Sequence, residues 1–437
     1  MGNLLGAPIT KKETHRGLTT KEKLQYGVSS MQGWRVHMED AHICQPELYA
    51  EERIIESDGS IEEDSNSNSD TENGKKKKVK IGKKKNSKKA KNNSSSSPQS
   101  GYQRIQLPGH ALFAVFDGHG GSFAANYSGS NMCRILSRQR MFVKYARYVE
   151  EQQTKRGIFS SSSVTPQERA KRNREGQECL EIALRDAFVE MDKEIMREVL
   201  GVGNECSDMP YGNDKMNNNS QTSSDVTKEG KDSGNLSTQK NIPNDEEDSG
   251  TTAVVVLVTP QWIVCANAGD SRAIYSKNKH HPVPLSYDHK PDDEAEERRI
   301  KDGGGFVSNG RVEGDLAVSR GLGDFRFKVR DTVLAGISCY YNSDSKPSTD
   351  MTNIIPDDQK VSSVPDIIVQ NRNADQDEFI IVACDGIWDV QSNKECTEMV
   401  ASIFKGGESD IGLICEEVSK VLYRCSYVKN LNNPTII

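Results

Sequence analysis

Val115–Gly121 reads VFDGHGG and closes the apolar run Ala111–Phe116, ALFAVF. A carboxylate and an imidazole stand among three glycines at the end of a short core strand, and glycine lets a ligand approach the main chain closely. Asp117, with the Gly118 carbonyl beside it, offers the oxygen donors that Mg²⁺ and Mn²⁺ prefer. The same residues also suit a tight turn in which Asp117 bonds nearby backbone amides, and the heptad alone leaves both readings open. A second strand, Phe379–Ala383 (FIIVA), ends in the same manner and runs into CDGIWDV, which carries Asp385 and Asp389. Further acids occupy turn positions: Glu39 and Asp40 in WRVHMEDAH, Asp270 in AGDSR and Asp324 in GLGDF. Carboxylates gathered in low dielectric raise one another's pKa unless a cation sits among them. Two divalent ions about 3.5–4 Å apart can hold such a cluster and activate water for attack on phosphorus. Spacing by itself does not bring Asp117 and Asp385 together.

The elements that must position these residues are legible in outline. Glu178–Leu200 carries Leu180, Leu184, Ala187, Phe188, Met191, Ile195 and Val199 at helical spacing, which predicts an amphipathic helix. Thr252–Val258, Trp262–Ala266 and Ala273–Tyr275 are β-rich runs with short links, expected to pair as antiparallel hairpins. Glu294–Ile300 is expected to be a helix ending before Gly303–Gly305. Helices do not alternate one-for-one with strands. The pattern therefore predicts an α+β fold of antiparallel sheets with helices packed outside.

Composition bounds the rest. Of 437 residues only 34% are hydrophobic and 28% are charged, so part of the chain lies outside any core. The net charge of −7 argues against a nucleic-acid binder. Ten cysteines without paired C-x-x-C spacing, and no signal-peptide pattern, fit free thiols in a reducing compartment, cytoplasmic or nuclear. No apolar run is long enough to span a bilayer. Gly2 stands where an N-myristoyl group attaches, although Gly6 replaces the Ser or Thr of the usual pattern. Low-complexity surface inserts are expected at 57–100, 156–176, 204–247 and 341–359, the first containing the lysine block Lys75–Lys91. They would interrupt one domain spanning 23–437, preceded by an N-terminal arm at 1–22.

The ordered set SMQGWRVHMEDAH, FAVFDGHGG, SGTTAVVVLV, ANAGDSRA, YDHKP, GRVEGDLAVSRGLGD, VPDI and ACDGIWDV resembles the metal-dependent protein phosphatases of type 2C. The resemblance implies a β-sandwich of two antiparallel sheets flanked by helices, in α-β-β-α layers. It also implies hydrolysis of phosphoserine and phosphothreonine in proteins by direct attack of a metal-bridging hydroxide, with two Mg²⁺ or Mn²⁺ ions and in some members a third, weaker one. Carried over by residue, Asp117 resembles the carboxylate bridging both metals, with the Gly118 carbonyl on the second. Asp385 matches a ligand of the first metal, while Glu39 and Asp40 match acids that hold metal-bound water. Arg35 matches the guanidinium that grips the substrate phosphate, and His119 the acid that protonates the leaving oxygen. Asp389 and Glu247 match ligands of the additional site. The expected partners are phosphorylated proteins, and a monomer is the expected state.

The departure from the family is at YVKNLNNPTII, which puts Asn432 where members carry another Asp ligand. An amide keeps an oxygen donor and loses the charge, so weaker binding of the first metal is expected. Two alternatives to an active phosphatase follow: a pseudophosphatase that binds partners without catalysis, or a hydrolase of small phosphoesters on the same site.

Overall fold

The structure is a computed structural model that describes residues 4–54, 101–158, 165–199, 248–328, 355–426 and 435–437. It opens with a long antiparallel hairpin of β1 (Leu4–Leu18) and β2 (Gln25–Arg35), whose turn is closed by Thr19 Oγ1 accepting the Leu24 N–H at 2.9 Å. The expected arm at 1–22 is thus largely an edge strand; its charged residues suit an edge, which discourages further pairing. Four strands follow: β3 (Ala41–Gln45), β4 (Leu48–Arg53), β5 (Tyr102–Leu107) and β6 (Ala111–Phe116). After the short β7 (Gly118–His119) come α1 (Phe123–Arg138), α2 (Arg140–Ile158) and α3 (Pro166–Val199). The middle of the chain supplies β8 (Gly250–Thr251), β9 (Ala253–Val258), β10 (Trp262–Ala268), β11 (Arg272–Lys277) and β12 (His281–Pro284). Next are α4 (Glu294–Asp302), the small hairpin β13 (Val307–Ser308) and β14 (Arg311–Val312), β15 (Leu322–Gly323) and α5 (Phe325–Lys328). The last part holds β16 (Asp366–Asn371), β17 (Asp377–Ala383), α6 (Asp385–Trp388), α7 (Asn393–Lys405), α8 (Ile411–Ser426) and β18 (Thr435–Ile436).

Two sheets dominate, one ordered β1-β2-β18-β17-β11-β12 and one β16-β10-β9-β6-β3, with antiparallel neighbours throughout. Their facing surfaces bury Phe113, Val115, Val254, Val256, Tyr275 and Val382. The alternate residues of β6, Leu112, Ala114 and Phe116, turn outward against Leu136, Leu180, Leu184 and Phe188 of α1 and α3. Burial on both faces is why ALFAVF is apolar without interruption. Each such large side chain contributes about 1.5–3 kcal/mol on leaving water. On the opposite side α7 and α8 cover the six-stranded sheet through Val400, Ile414 and Val418 against Ile381. The α-β-β-α layering expected from the sequence is the observed one. No helix among the described residues is long and apolar enough to cross a membrane.

Several expectations need correction. β9 and β10 do form a hairpin, but β10 and β11 lie in different sheets, so the Gly269–Ser271 link crosses between layers. That crossing carries Asp270 to the rim shared by both sheets. The expected insert at 156–176 overlaps regular helix: α2 runs to Ile158, and α3 starts at Pro166, ahead of the predicted Glu178. Of the expected insert at 341–359, Pro356–Asp358 forms a 3₁₀ turn. Inserts 57–100 and 204–247, the lysine block, 341–354 and Gly2 lie outside the described residues.

Candidate active site

Asp117 leaves β6 at the rim of the five-stranded sheet, and its carbonyl accepts the Thr252 N–H at 2.9 Å. The next residues join a small three-stranded sheet in which Gly118 faces Thr251 and His119 faces Gly250. A Cβ on Gly118 would stand 2.2 Å from the Glu39 carbonyl oxygen, so glycine is required by the close approach of that loop. Glu39 then crosses the turn, its Oε1 accepting the Gly121 N–H at 2.9 Å.

From the other sheet, β17 ends at Ala383, and Asp385 begins α6. Trp388 fixes that helix by donating Nε1–H to the Ala383 carbonyl at 2.8 Å. The structure joins what spacing left apart: carboxylate oxygens of Asp117 and Asp385 and the Cys384 sulfur lie within 4.8 Å of one another. Asp40, on the link from β2 to β3, comes in beside them. Its Oδ2 accepts the Thr435 hydroxyl at 2.6 Å, while Oδ1 is buried and meets no donor.

The electrostatics follow from this crowding. Burial pushes Asp40 up to about 7 despite the Thr435 hydrogen bond, and the Asp385 charge adds to the rise. Burial also carries Asp117 far above the usual carboxylate range, with Asp40 and Asp270 pushing the same way. Asp385 is raised for the same reasons, burial first, then the charges of Asp117, Asp270 and Asp389. The Arg35 charge, at the end of β2, pulls Asp40 and Asp117 partly back. A buried Asp40 oxygen without a donor, beside the carboxylates of Asp117 and Asp385, fits a hard divalent cation. The Cys384 sulfur fits less well as a ligand: burial raises its thiol strongly, and it already accepts the Thr435 N–H at 3.1 Å. Asp270 is bound by Lys290 Nζ at 2.5 Å. Asp389 caps α6 and is exposed. Glu247 and Asn432 lie outside the described residues.

His119 stands next to this cluster and has a partner of its own. Its Nε2 is 2.8 Å and 3.0 Å from the two oxygens of Asp324, which is buried beside β15. Burial pushes the imidazole down, but the charge and hydrogen bond of Asp324 outweigh it, and Asp270 and Glu39 add to the rise. Gly250 makes room for the pair, since a Cβ there would stand 2.2 Å from Asp324 Oδ2. Sequence reading marked Asp324 as an acid without linking it to His119. It missed Thr435 and Cys384, which carry no signal in the sequence; their contacts arise from β18 docking between β2 and β17.

Comparison with known proteins agrees with this picture. The family model "Protein phosphatase 2C" matches residues 204–428. A probable protein phosphatase 2C of Caenorhabditis elegans is 30% identical over 425 residues, 97% of this chain and 74% of the relative. Protein phosphatase 2C homolog 2 of Aspergillus flavus is 29% identical over 96% of this chain, which spans 62% of that protein's length. A crystal structure of a phosphatase from Toxoplasma gondii is similar in fold, with a TM-score of 0.50 at 16% identity, covering 98% of this chain and 94% of that one. The chain belongs to the protein phosphatase 2C family.

Proposed function

We propose that this chain is a Mg²⁺- or Mn²⁺-dependent serine/threonine protein phosphatase that hydrolyses phosphoserine and phosphothreonine in proteins. The observation that carries the reading is the convergence of Asp40, Asp117 and Asp385 from both sheets, with a buried Asp40 oxygen lacking a donor. Divalent cations bound there supply an activated water and offset the carboxylate charge. Asp117 and Asp385 would hold them, with the Gly118 carbonyl, while Glu39 and Asp40 orient water around them. Arg35 presents a planar, permanently charged fork to the phosphate oxygens. Asp324 keeps a proton on His119 Nε2, which leaves Nδ1 to deliver a proton to the departing serine or threonine oxygen. Asp389 and Glu247 are proposed for a third, weaker cation. The binding-only alternative rested on Asn432, and nothing among the described residues favours it.

The test is hydrolysis of a phosphothreonine peptide with Mn²⁺, with Mg²⁺ and with EDTA. Turnover that requires the cation and stops in EDTA supports the reading. Cation-independent turnover, or none under any condition, overturns it.

A further inference from the structure

A second buried ionic group lies outside the acid cluster. Asp192 on α3 and Lys328 at the end of α5 form an ion pair at 2.7 Å, with the lysine side chain 0% and the aspartate side chain 9% exposed. Lys328 Nζ also donates to the Gly321 carbonyl at 2.8 Å, and Asp192 Oδ1 accepts the Gly323 N–H at 2.9 Å. The pair therefore grips the Gly321–Asp324 turn at two points, one charge on a carbonyl and the other on an amide. That turn is an uncommon one: Gly323 has φ +79° and Asp324 φ +54°, a left-handed conformation that a non-glycine residue keeps only when its surroundings hold it there. Asp324 in turn is the residue whose carboxylate meets His119 Nε2.

Burying two opposite charges is a poor route to stability, because the lost hydration offsets the attraction. What the pair does supply is direction at both ends of one turn. We infer that Asp192 and Lys328 are positioning residues that hold Asp324 in its left-handed conformation and so keep its carboxylate on His119 Nε2. The consequence for catalysis rests on the proposed role of His119 as proton donor.

The double variant Asp192→Leu/Lys328→Met removes both charges together and strands neither. Two readouts are taken: the ratio of kcat for a phosphothreonine peptide to kcat for p-nitrophenyl phosphate, and the proton resonance of His119 Nε2–H in metal-free protein. The peptide needs a protonated leaving oxygen and the phenolate does not, so the ratio should fall about tenfold or more. The resonance, protected by Asp324 in the parent, should broaden or vanish through exchange. A folded variant with the parental ratio and the parental resonance overturns the inference. If the double variant does not fold, Asp192→Asn, which keeps an acceptor for Gly323, is read by the same two measurements. His119→Gln runs in parallel. If it slows both substrates equally, the acid role itself fails and the resonance alone decides: its loss in the variant supports the positioning, its persistence overturns it.

Discussion

Thr435 Oγ1 donates to Asp40 Oδ2 at 2.6 Å, so the last described strand reaches into the acid cluster. The same residue exchanges backbone contacts with Cys384, its N–H on the sulfur at 3.1 Å and its carbonyl accepting the Cys384 N–H at 3.2 Å. One short strand thereby ties the loop after β2 to the turn after β17. The carboxylates of Asp40 and Asp385 are held near each other by packing, against their mutual repulsion.

Thr435→Val keeps the shape of this buried side chain and removes the hydroxyl. Metal-free protein should lose about 1–3 kcal/mol of stability, the range for a buried acceptor deprived of its donor. Because Asp40 would also lose its orientation, half-maximal activity should need more Mn²⁺. Urea unfolding in EDTA and a Mn²⁺ titration check the two effects. Parental values in both would show that the bond carries nothing.

Asp117→Asn should separate repulsion from ligation. Without metal, it removes a carboxyl that burial and the charges of Asp40 and Asp270 hold far above its ordinary range, a cost to folding at neutral pH, so the melting temperature in EDTA should rise by a few degrees. With Mn²⁺, the parent should gain stability by binding and the variant should gain little. Hydrolysis should fall to background. A variant that still melts higher with Mn²⁺, and turns over within a few-fold of the parent, would remove Asp117 from the metal site.

What could be read in the sequence was local. VFDGHGG and CDGIWDV each announce a strand end followed by an acid, and both stand where that reading put them. Their meeting was not legible, because it depends on how two sheets stack. The Gly269–Ser271 link shows why: three residues fit a hairpin as readily as a crossing between layers, and only packing decides. The early start of α3 did leave a signal. Thr165-Pro166-Gln167-Glu168 is a capping box with proline at the first helical position: Thr165 Oγ1 accepts the Glu168 N–H at 3.2 Å, and Glu168 Oε2 accepts the Thr165 N–H at 3.0 Å. The absence of an apolar stripe over the following turns concealed it. Asp192 was concealed differently, since a polar residue amid Met191 and Ile195 carries no mark of its buried partner.

Stability in acid should be governed partly by Glu296 on α4. Its Oε1 accepts from Arg320 at 2.7 Å, and its Oε2 accepts from Arg299 at 2.7 Å and Ser319 Oγ at 2.6 Å. Burial pushes this carboxyl up, but the hydrogen bonds from Arg320 and the two guanidinium charges bring it down to about 2. A carboxyl lowered on folding adds stability that is complete above its unfolded value of 4.5 and vanishes as the pH falls through 2. That contribution is on the order of 3 kcal/mol. Glu296→Gln should cost about 3 kcal/mol at pH 7, since Arg299 loses its carboxylate partner and Arg320 is left with Asp366. The gap between parent and variant should narrow steadily between pH 4.5 and 2. Urea midpoints across that range measure it. A gap independent of pH would mean that folding does not lower the pKa of this carboxyl.

Gly250→Ala tests the imidazole–carboxylate contact from the side of shape alone. The added Cβ would stand 2.2 Å from Asp324 Oδ2 and 2.4 Å from Oδ1, and no two such atoms can stay that close. Gly250 does not have a positive φ, so its own backbone accepts alanine without strain. What must give way is the buried Asp324 side chain, and a shift of its carboxylate disturbs the 2.8 Å contact with His119. Phosphothreonine-peptide turnover should therefore fall about tenfold or more, and more steeply than turnover of p-nitrophenyl phosphate. The Mn²⁺ requirement should change little, because the three atoms nearest the new methyl group all belong to Asp324. If both substrates slow equally and the Mn²⁺ requirement rises, the methyl group has disturbed the acid cluster, and Asp324 belongs to the metal site more than to His119.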